Sequence, residues 1–194
     1  MPSLLQKCLA LLALLLLLLP GLLVMLSLWP SGPVFFTQVR VGFREKPFRL
    51  YKFRTMRRAL DARGQPLPDA QRLTRWGNFL RRYSIDEWPQ LWHVLWGEMH
   101  LVGPRPLPPE YLPYYTSAQR QRHQVKPGLT GLAQIRGRNR LPWAQRLRLD
   151  AWYAAHRSPG LDLYILCQTA RRLLRHPDGD VLSEKFLPPP PNKH

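Results

Sequence analysis

The sequence predicts an α+β fold, mainly helical, with one small β-hairpin and an N-terminal membrane helix broken by proline. Three observations carry that prediction. Residues 8–29 are apolar apart from Ser27, and Pro20-Gly21 interrupts the run. Residues 34–42 and 48–53 are short β-branched and aromatic segments separated by charged residues and Pro47, the pattern of a hairpin. Beyond them, apolar residues recur at helical spacing between Pro-rich breaks.

Taken in order, the apolar run comes first. A continuous helix over residues 8–29 would measure about 33 Å at 1.5 Å per residue, which matches a bilayer core. A cleaved signal peptide would need a basic start and a small-residue cleavage site. Lys7 is the only charge before Arg40, and no such site follows the run. Pro20 removes one backbone bond and clashes with the preceding turn, so a kink is expected there. A kinked span and a re-entrant hairpin both satisfy this composition. In either case an excess of Arg and Lys places the body of the chain in the cytoplasm.

The hairpin follows, and then residues 59–73, polar with a Gly and two Pro, read as an exposed loop. Residues 89–99 carry Leu91, Val94, Leu95 and Met99 at helical spacing, with Trp88, Trp92 and Trp96 as a second stripe. That stripe reads first as ordinary core, with seating at a membrane interface as the alternative. Three more helical patterns lie near 117–124, 142–156 and 161–175. The last is apolar on one face and rich in Arg on the other, suited to a membrane interface or to packing on its own domain. Residues 187–194 have the composition of a disordered tail.

The chain has 194 residues and a formal net charge of +17, mostly from Arg. Guanidinium binds phosphate in a bidentate way, so nucleic acid, anionic lipid and phosphorylated small molecules are candidate partners. A GC-rich genome raises Arg equally well, and charge alone selects none of them. Cys8 and Cys167 lack metal-ligand spacing and do not suggest a disulfide framework. His93, His100 and His123 show no zinc spacing and read as structural.

Ser84-Ile85-Asp86-Glu87-Trp88-Pro89-Gln90 is the best chemical constellation. S-x-x-E is also a capping box, with Ser84 as N-cap and Glu87 at N3. On the chemical reading, adjacent carboxylates point in different directions, so one can attack while the other holds a metal. Arg81 and Arg82 precede them. Arg105 is flanked by Pro104 and Pro106, which fix its backbone as for a phosphate clamp or as in a plain connector. Lys126-Pro127-Gly128-Leu129-Thr130-Gly131, followed by Arg136-Gly137-Arg138, offers backbone N–H groups to an anion but lacks the P-loop ending. Lys52 and Arg54 stand at the end of the second predicted strand.

In order and spacing these motifs resemble the bacterial sugar transferases, the monotopic polyprenyl-phosphate phosphoglycosyl transferases. The resemblance runs from about Val34 to Phe186 through GPVFFTQ, YKFRTM, SIDEWPQL, GEMHLVGPRPL, EYLPYY, KPGLTGLAQIRGRN and LDAWY. The loop DARGQPLPD and Ser183-Glu184-Lys185-Phe186 are similar to the small single-domain members of the bacillosamine-phosphate transferase type. The resemblance implies transfer of a sugar-1-phosphate from a UDP-sugar to polyprenyl phosphate, with release of UMP. It implies a ping-pong reaction with Asp86 as nucleophile, Mg²⁺ as cofactor and Glu87 as its ligand. It places Lys52, Arg81 and Arg105 around the substrate phosphates, and Arg54, Arg136 and Arg138 are expected to join them.

It further implies that residues 1–30 form a re-entrant helix at the cytoplasmic face of a bacterial plasma membrane. Residues 31–186 would be the catalytic domain, with amphipathic helices at the interface. Membrane lipids are then partners and nucleic acid is not. Leu19 stands before Pro20 where the family commonly has Ser, and Lys7 alone replaces a basic pair. Two rival readings are a membrane-tethered basic binding protein, with Asp86-Glu87 as a mere cap, and a scaffold that keeps only the fold.

Overall fold

In the computed structural model, which describes residues 1–137 and 141–175, the apolar run forms two helices. Helix α1 (Ser3–Leu16) and helix α2 (Leu18–Leu28) are bent by 60° at Leu17. Pro20 accounts for the position of the break. Lacking an N–H, it leaves the Leu16 carbonyl without its partner four residues on, and the helix breaks immediately after Leu16. Among the described residues no single helix is long and apolar enough to cross a membrane; the bent pair together is.

One face of α1 belongs to the core. Ala10 is fully buried, and buried Gln6 accepts a 2.9 Å bond from the Leu101 amide, which satisfies a polar group that would otherwise be costly to bury. The remaining faces of the pair present Leu4, Leu12, Leu16, Leu18, Leu19 and Leu23 outward.

Strands β1 (Phe35–Val41) and β2 (Pro47–Phe53) form the expected antiparallel hairpin, with Phe35 opposite Phe53 and Val41 opposite Pro47. The other edge of β2 is covered by a side chain. The Tyr51 amide donates to Nε2 of His93 at 3.2 Å, while Nδ1 lies 2.6 Å from the Glu98 carboxylate. Nε2 accepts, so the ring proton is on Nδ1. His93 is therefore structural, and it anchors the strand that carries Lys52.

The loop at 59–73 is largely exposed, tied by the bridges Met56–Leu73 and Leu60–Pro66 and by the short helix α3 (Asp69–Arg72). Helix α4 (Arg75–Arg82) was not singled out in the sequence, although Trp76, Phe79 and Leu80 stand at helical spacing. It starts where Thr74 Oγ1 accepts from the Gly77 amide at 2.8 Å, an N-cap bond. A 3₁₀ segment, Ile85–Gln90, leads into α5 (Leu91–Trp96), shorter than the helix expected over 89–99. Gly97 ends α5 at φ +82°, and the Glu98 and Met99 amides turn back to the His93 carbonyl. The core expectation for the Trp stripe is corrected: Trp88 packs on a buried cluster, but Trp92 and Trp96 are 49% and 60% exposed. Leu91 and Val94 take the inward face of α5, so their neighbours at 92 and 96 point out.

A second sheet joins β3 (His100–Val102) and β4 (Gly128–Thr130) in parallel, where the sequence reading had a single hairpin. Three-residue strands show no period, and their pairing depends on glycine. A Cβ on Gly128 would lie 2.0 Å from the Gly103 nitrogen, and one on Gly103 would lie 2.5 Å from the Lys126 carbonyl oxygen. The Gly103 amide donates to Thr130 at 2.8 Å and the Gly128 amide to Pro104 at 3.0 Å. The Gly128 amide, expected to face an anion, instead joins that of Gly103 in holding two backbones together.

Helix α6 (Ser117–Arg120), closed by a Thr116–Gln119 capping box, continues as the 3₁₀ segment Gln121–Gln124. Helices α7 (Leu132–Arg136), α8 (Trp143–His156) and α9 (Pro159–Arg175) complete the described chain, the last two close to their predicted bounds. Residues 183–186 and the tail at 187–194 lie outside the described residues. The main core gathers Ala10, Leu91, Val94, Met99, Val102, Leu132, Tyr153 and Ile165; a smaller cluster of Val24, Leu28, Phe53 and Leu80 roots α2.

Candidate active site

The two carboxylates are placed by a turn with a backbone seldom used by non-glycine residues. Ser84 adopts φ +56° and makes no side-chain cap. Backbone in this region is costly and is retained where the surroundings over-determine it. The capping-box reading of Ser84 and Glu87 is thereby overturned. The turn aims Asp86, 4% exposed, and Glu87 at the end of β2 and at the loop after β3.

Among the described residues, Lys52, Asp86, Glu87 and Arg105 meet there. Lys52, on β2, places Nζ 2.8 Å from Glu87 Oε1 and 3.7 Å from Asp86 Oδ2. Arg105, beyond β3, donates to the same Glu87 Oε1 at 2.8 Å. Burial by itself would raise the Glu87 pKa, but Arg105 and then Lys52 outweigh it and hold the carboxyl well below the usual range. Glu87 is thus ionised at any physiological pH. An ammonium has three N–H donors and a guanidinium five, so one bond to Glu87 exhausts neither. The arrangement can hold an anionic side chain beside cations that also have donors for a phosphate.

Among the described residues, the other predicted cations stand elsewhere. Arg81, at the end of α4, donates through Nε to Thr55 Oγ1 at 2.9 Å. Arg54 donates to the Leu28 carbonyl at 3.2 Å and to Ser31 Oγ at 2.6 Å, capping the end of α2. Neither pairs with Asp86 or Glu87. Arg136 is exposed at the end of α7, and Arg138 lies outside the described residues. Sequence reasoning did not single out Thr55 or Gly77. A Cβ on Gly77 would sit 1.9 Å from the Thr55 carbonyl oxygen, so α4 lies flush on the residue that orients Arg81. Neither residue has a local signal, because the need arises only where the two segments meet.

For a divalent cation the fit is partial but sound. No group of three His, Cys, Asp or Glu side chains converges among the described residues. Both cations bond Oε1 of Glu87, leaving Oε2 for another partner. A Mg²⁺ ion held by one or two carboxylates, with phosphate and water as its other ligands, suits that donor set.

Residues 3–176 match the family described as Bacterial sugar transferase. The chain is 56% identical over 144 residues to a Bacillus subtilis protein named Uncharacterized sugar transferase EpsL, covering 74% of this chain and 71% of that one. It is 40% identical over 179 residues to the UDP-glucose:undecaprenyl-phosphate glucose-1-phosphate transferase of Xanthomonas campestris, covering 79% of this chain and 37% of the relative. It is 36% identical over 177 residues to the Undecaprenyl-phosphate galactose phosphotransferase of Salmonella typhimurium, covering 80% of this chain and 37% of the relative. The chain therefore spans well under half the length of those last two. With a match over nearly all its described residues, the chain belongs to the bacterial sugar transferase family.

Proposed function

We propose that this protein transfers a sugar-1-phosphate from a UDP-sugar to polyprenyl phosphate at the cytoplasmic face of a bacterial membrane. The observation that carries the reading is buried Asp86 beside half-buried Glu87, the first paired with Lys52 and the second with both Lys52 and Arg105, in a family whose relatives are named for undecaprenyl-phosphate sugar transfer. In the first step a carboxylate oxygen of Asp86 attacks the sugar-bearing phosphorus. The bond from that phosphorus to UMP breaks, and UMP leaves with the electron pair. In the second step a phosphate oxygen of polyprenyl phosphate attacks the same phosphorus. The Asp86 carboxylate is released and polyprenyl-diphosphate-sugar forms. Covalent catalysis of this kind divides one hard transfer into two.

Lys52 and Arg105 shield the donor's negative charge and stabilise the departing UMP. Glu87, and Asp86 between turnovers, are the residues that would hold Mg²⁺. Once bound, the ion would supply Lewis-acid stabilisation of phosphoryl oxygens.

The membrane reading rests on where both ends of the bent pair are fastened. Gln6 of α1 is bonded to Leu101, while Ser27 and Leu28 of α2 are bonded to Trp76 and Arg54. A straight helix over residues 3–31 would separate its ends by about 40 Å. A re-entrant segment lets both ends rest on one cytoplasmic body. Exposed Trp29, Trp76, Trp92 and Trp96 suit the headgroup level. The test is incubation of the purified protein with Mg²⁺, polyprenyl phosphate and a panel of UDP-sugars. UMP release with one or more donors is expected; its absence with every donor overturns the proposal.

A further inference from the structure

The structure assigns a positioning role to Arg122, held by Asp150, in setting the backbone of Arg105; the inference rests on the function proposed above. Arg122 is 2% exposed, one of the largest fully buried side chains of the described chain. Its guanidinium works in two directions. Nε and an NH₂ nitrogen donate to Asp150 Oδ2 at 3.2 and 2.7 Å, and the same NH₂ nitrogen donates to the Arg105 carbonyl oxygen at 2.6 Å. Asp150 belongs to α8 and is itself 4% exposed. Helix α8 is thereby connected, through one side chain, to the residue that bonds Glu87.

Stability alone is a weak reason for such a pair. Burying two charges costs desolvation that their attraction barely offsets, and apolar replacements of similar volume are often as stable. What an apolar pair cannot do is grip a backbone carbonyl. Pro104 restricts the torsions open to its neighbours, and Pro106 favours extended backbone at Arg105. Those restraints shape the segment, and bonds from the Gly128 amide to the Pro104 carbonyl and from the Val41 amide to the Leu107 carbonyl hold its two ends. The charge-assisted bond from Arg122 fixes the Arg105 carbonyl between those ends, and the planar guanidinium fork fixes the angle between its two acceptors in a way an ammonium does not. If Arg105 shifts, its bond to Glu87 Oε1, and its aim at a phosphate, are lost together.

The experiment is a double-mutant cycle on the full-length enzyme, with kcat/KM for UMP release and thermal stability measured in parallel. Arg122→Lys is expected to lower kcat/KM about a hundredfold, the scale of an ångström's misplacement at a reacting centre. In an Arg105→Ala background the same change is expected to cost less than about twofold, since residues acting through one another are not additive. Equal fold losses in both backgrounds would show a merely structural residue and overturn the assignment. Asp150→Asn, which keeps the volume and removes the charge, completes a second cycle with the same expected and overturning outcomes, should the Lys variant not fold. A structure of either variant decides the matter without activity: the Arg105–Glu87 bond is expected to be gone, and its retention overturns the inference. Failure of the transferase reading looks different, because the unmodified enzyme would then release no UMP.

Discussion

Glu87 receives both of its cations on one oxygen, and two predictions begin there. Glu87→Gln should remove most transfer, because a neutral amide is a poor Mg²⁺ ligand and a poor partner for Lys52 and Arg105. Its effect on stability should depend on pH. The folded pKa is depressed below the ordinary 4.5, so the ionised form stabilises the fold above that value, and this contribution fades as pH falls through the folded pKa. Melting curves should therefore show the gap between wild type and Glu87→Gln narrowing below about pH 4.5. A gap independent of pH would refute the ion-pair account. For Asp86→Asn, turnover should vanish while the melting temperature stays close to wild type. Intact-mass measurement with donor alone should show a sugar-phosphate adduct on the wild type; its persistence in Asp86→Asn would displace Asp86 as nucleophile. The acidic pair was legible because the two residues are adjacent in a chemically suggestive string. Arg122 and Asp150 were not, since 28 positions separate them and only folding makes them a pair.

Among the elements, the paired strands β3 and β4 yield a sharp contrast between glycines. Gly128→Ala would drive a methyl into the Gly103 backbone, at 2.0 Å, and should destabilise by about 3 kcal/mol, the upper end of ordinary overpacking. Gly160, exposed at the start of α9 with nothing within 4 Å of a built Cβ, should accept Ala within about 0.5 kcal/mol. Chemical denaturation of the two variants separates these outcomes. The bent helix pair has its own test. A cysteine placed at Ser3, with Cys8 and Cys167 replaced, should resist a membrane-impermeant thiol reagent on intact cells and react once they are opened. Labelling of intact cells, in a protein that remains active, would mean a spanning segment and would leave the transferase reading standing. Pro20 announced the break, whereas α4 went unread. Its buried face is Gly77 and Leu80, while Trp76 and Phe79, at the same helical spacing, are exposed.

At the scale of the whole molecule, two histidines tie stability to pH. Burial pushes His123 down to about 4, with Arg122 adding to it, and burial does the same to His100, helped by Arg157 and Lys126. A histidine with a depressed folded pKa is neutral in the fold and charged in the unfolded chain at mildly acid pH. Its contribution is intact above the unfolded value and is lost as pH falls toward the folded one. The melting temperature should thus drop between about pH 6.5 and pH 4, and His123→Gln should flatten that slope. An unchanged slope in His123→Gln would show that His123 does not titrate in this window.

The sequence alone determined the apolar run and its break, the first hairpin, the long C-terminal helices and the acidic pair. Each is written in neighbouring residues, in a period, a proline or a string of like groups, and neighbours act on one another before any folding. The tertiary structure decided which side of α5 is core, that two glycine-bearing segments form a parallel pair, and which cations reach Glu87. It also turned Ser84 away from capping and Arg54 toward the end of α2. Those outcomes depend on contacts between residues 18 to 35 positions apart or more, and such contacts exist only when the backbones that carry them have been brought together.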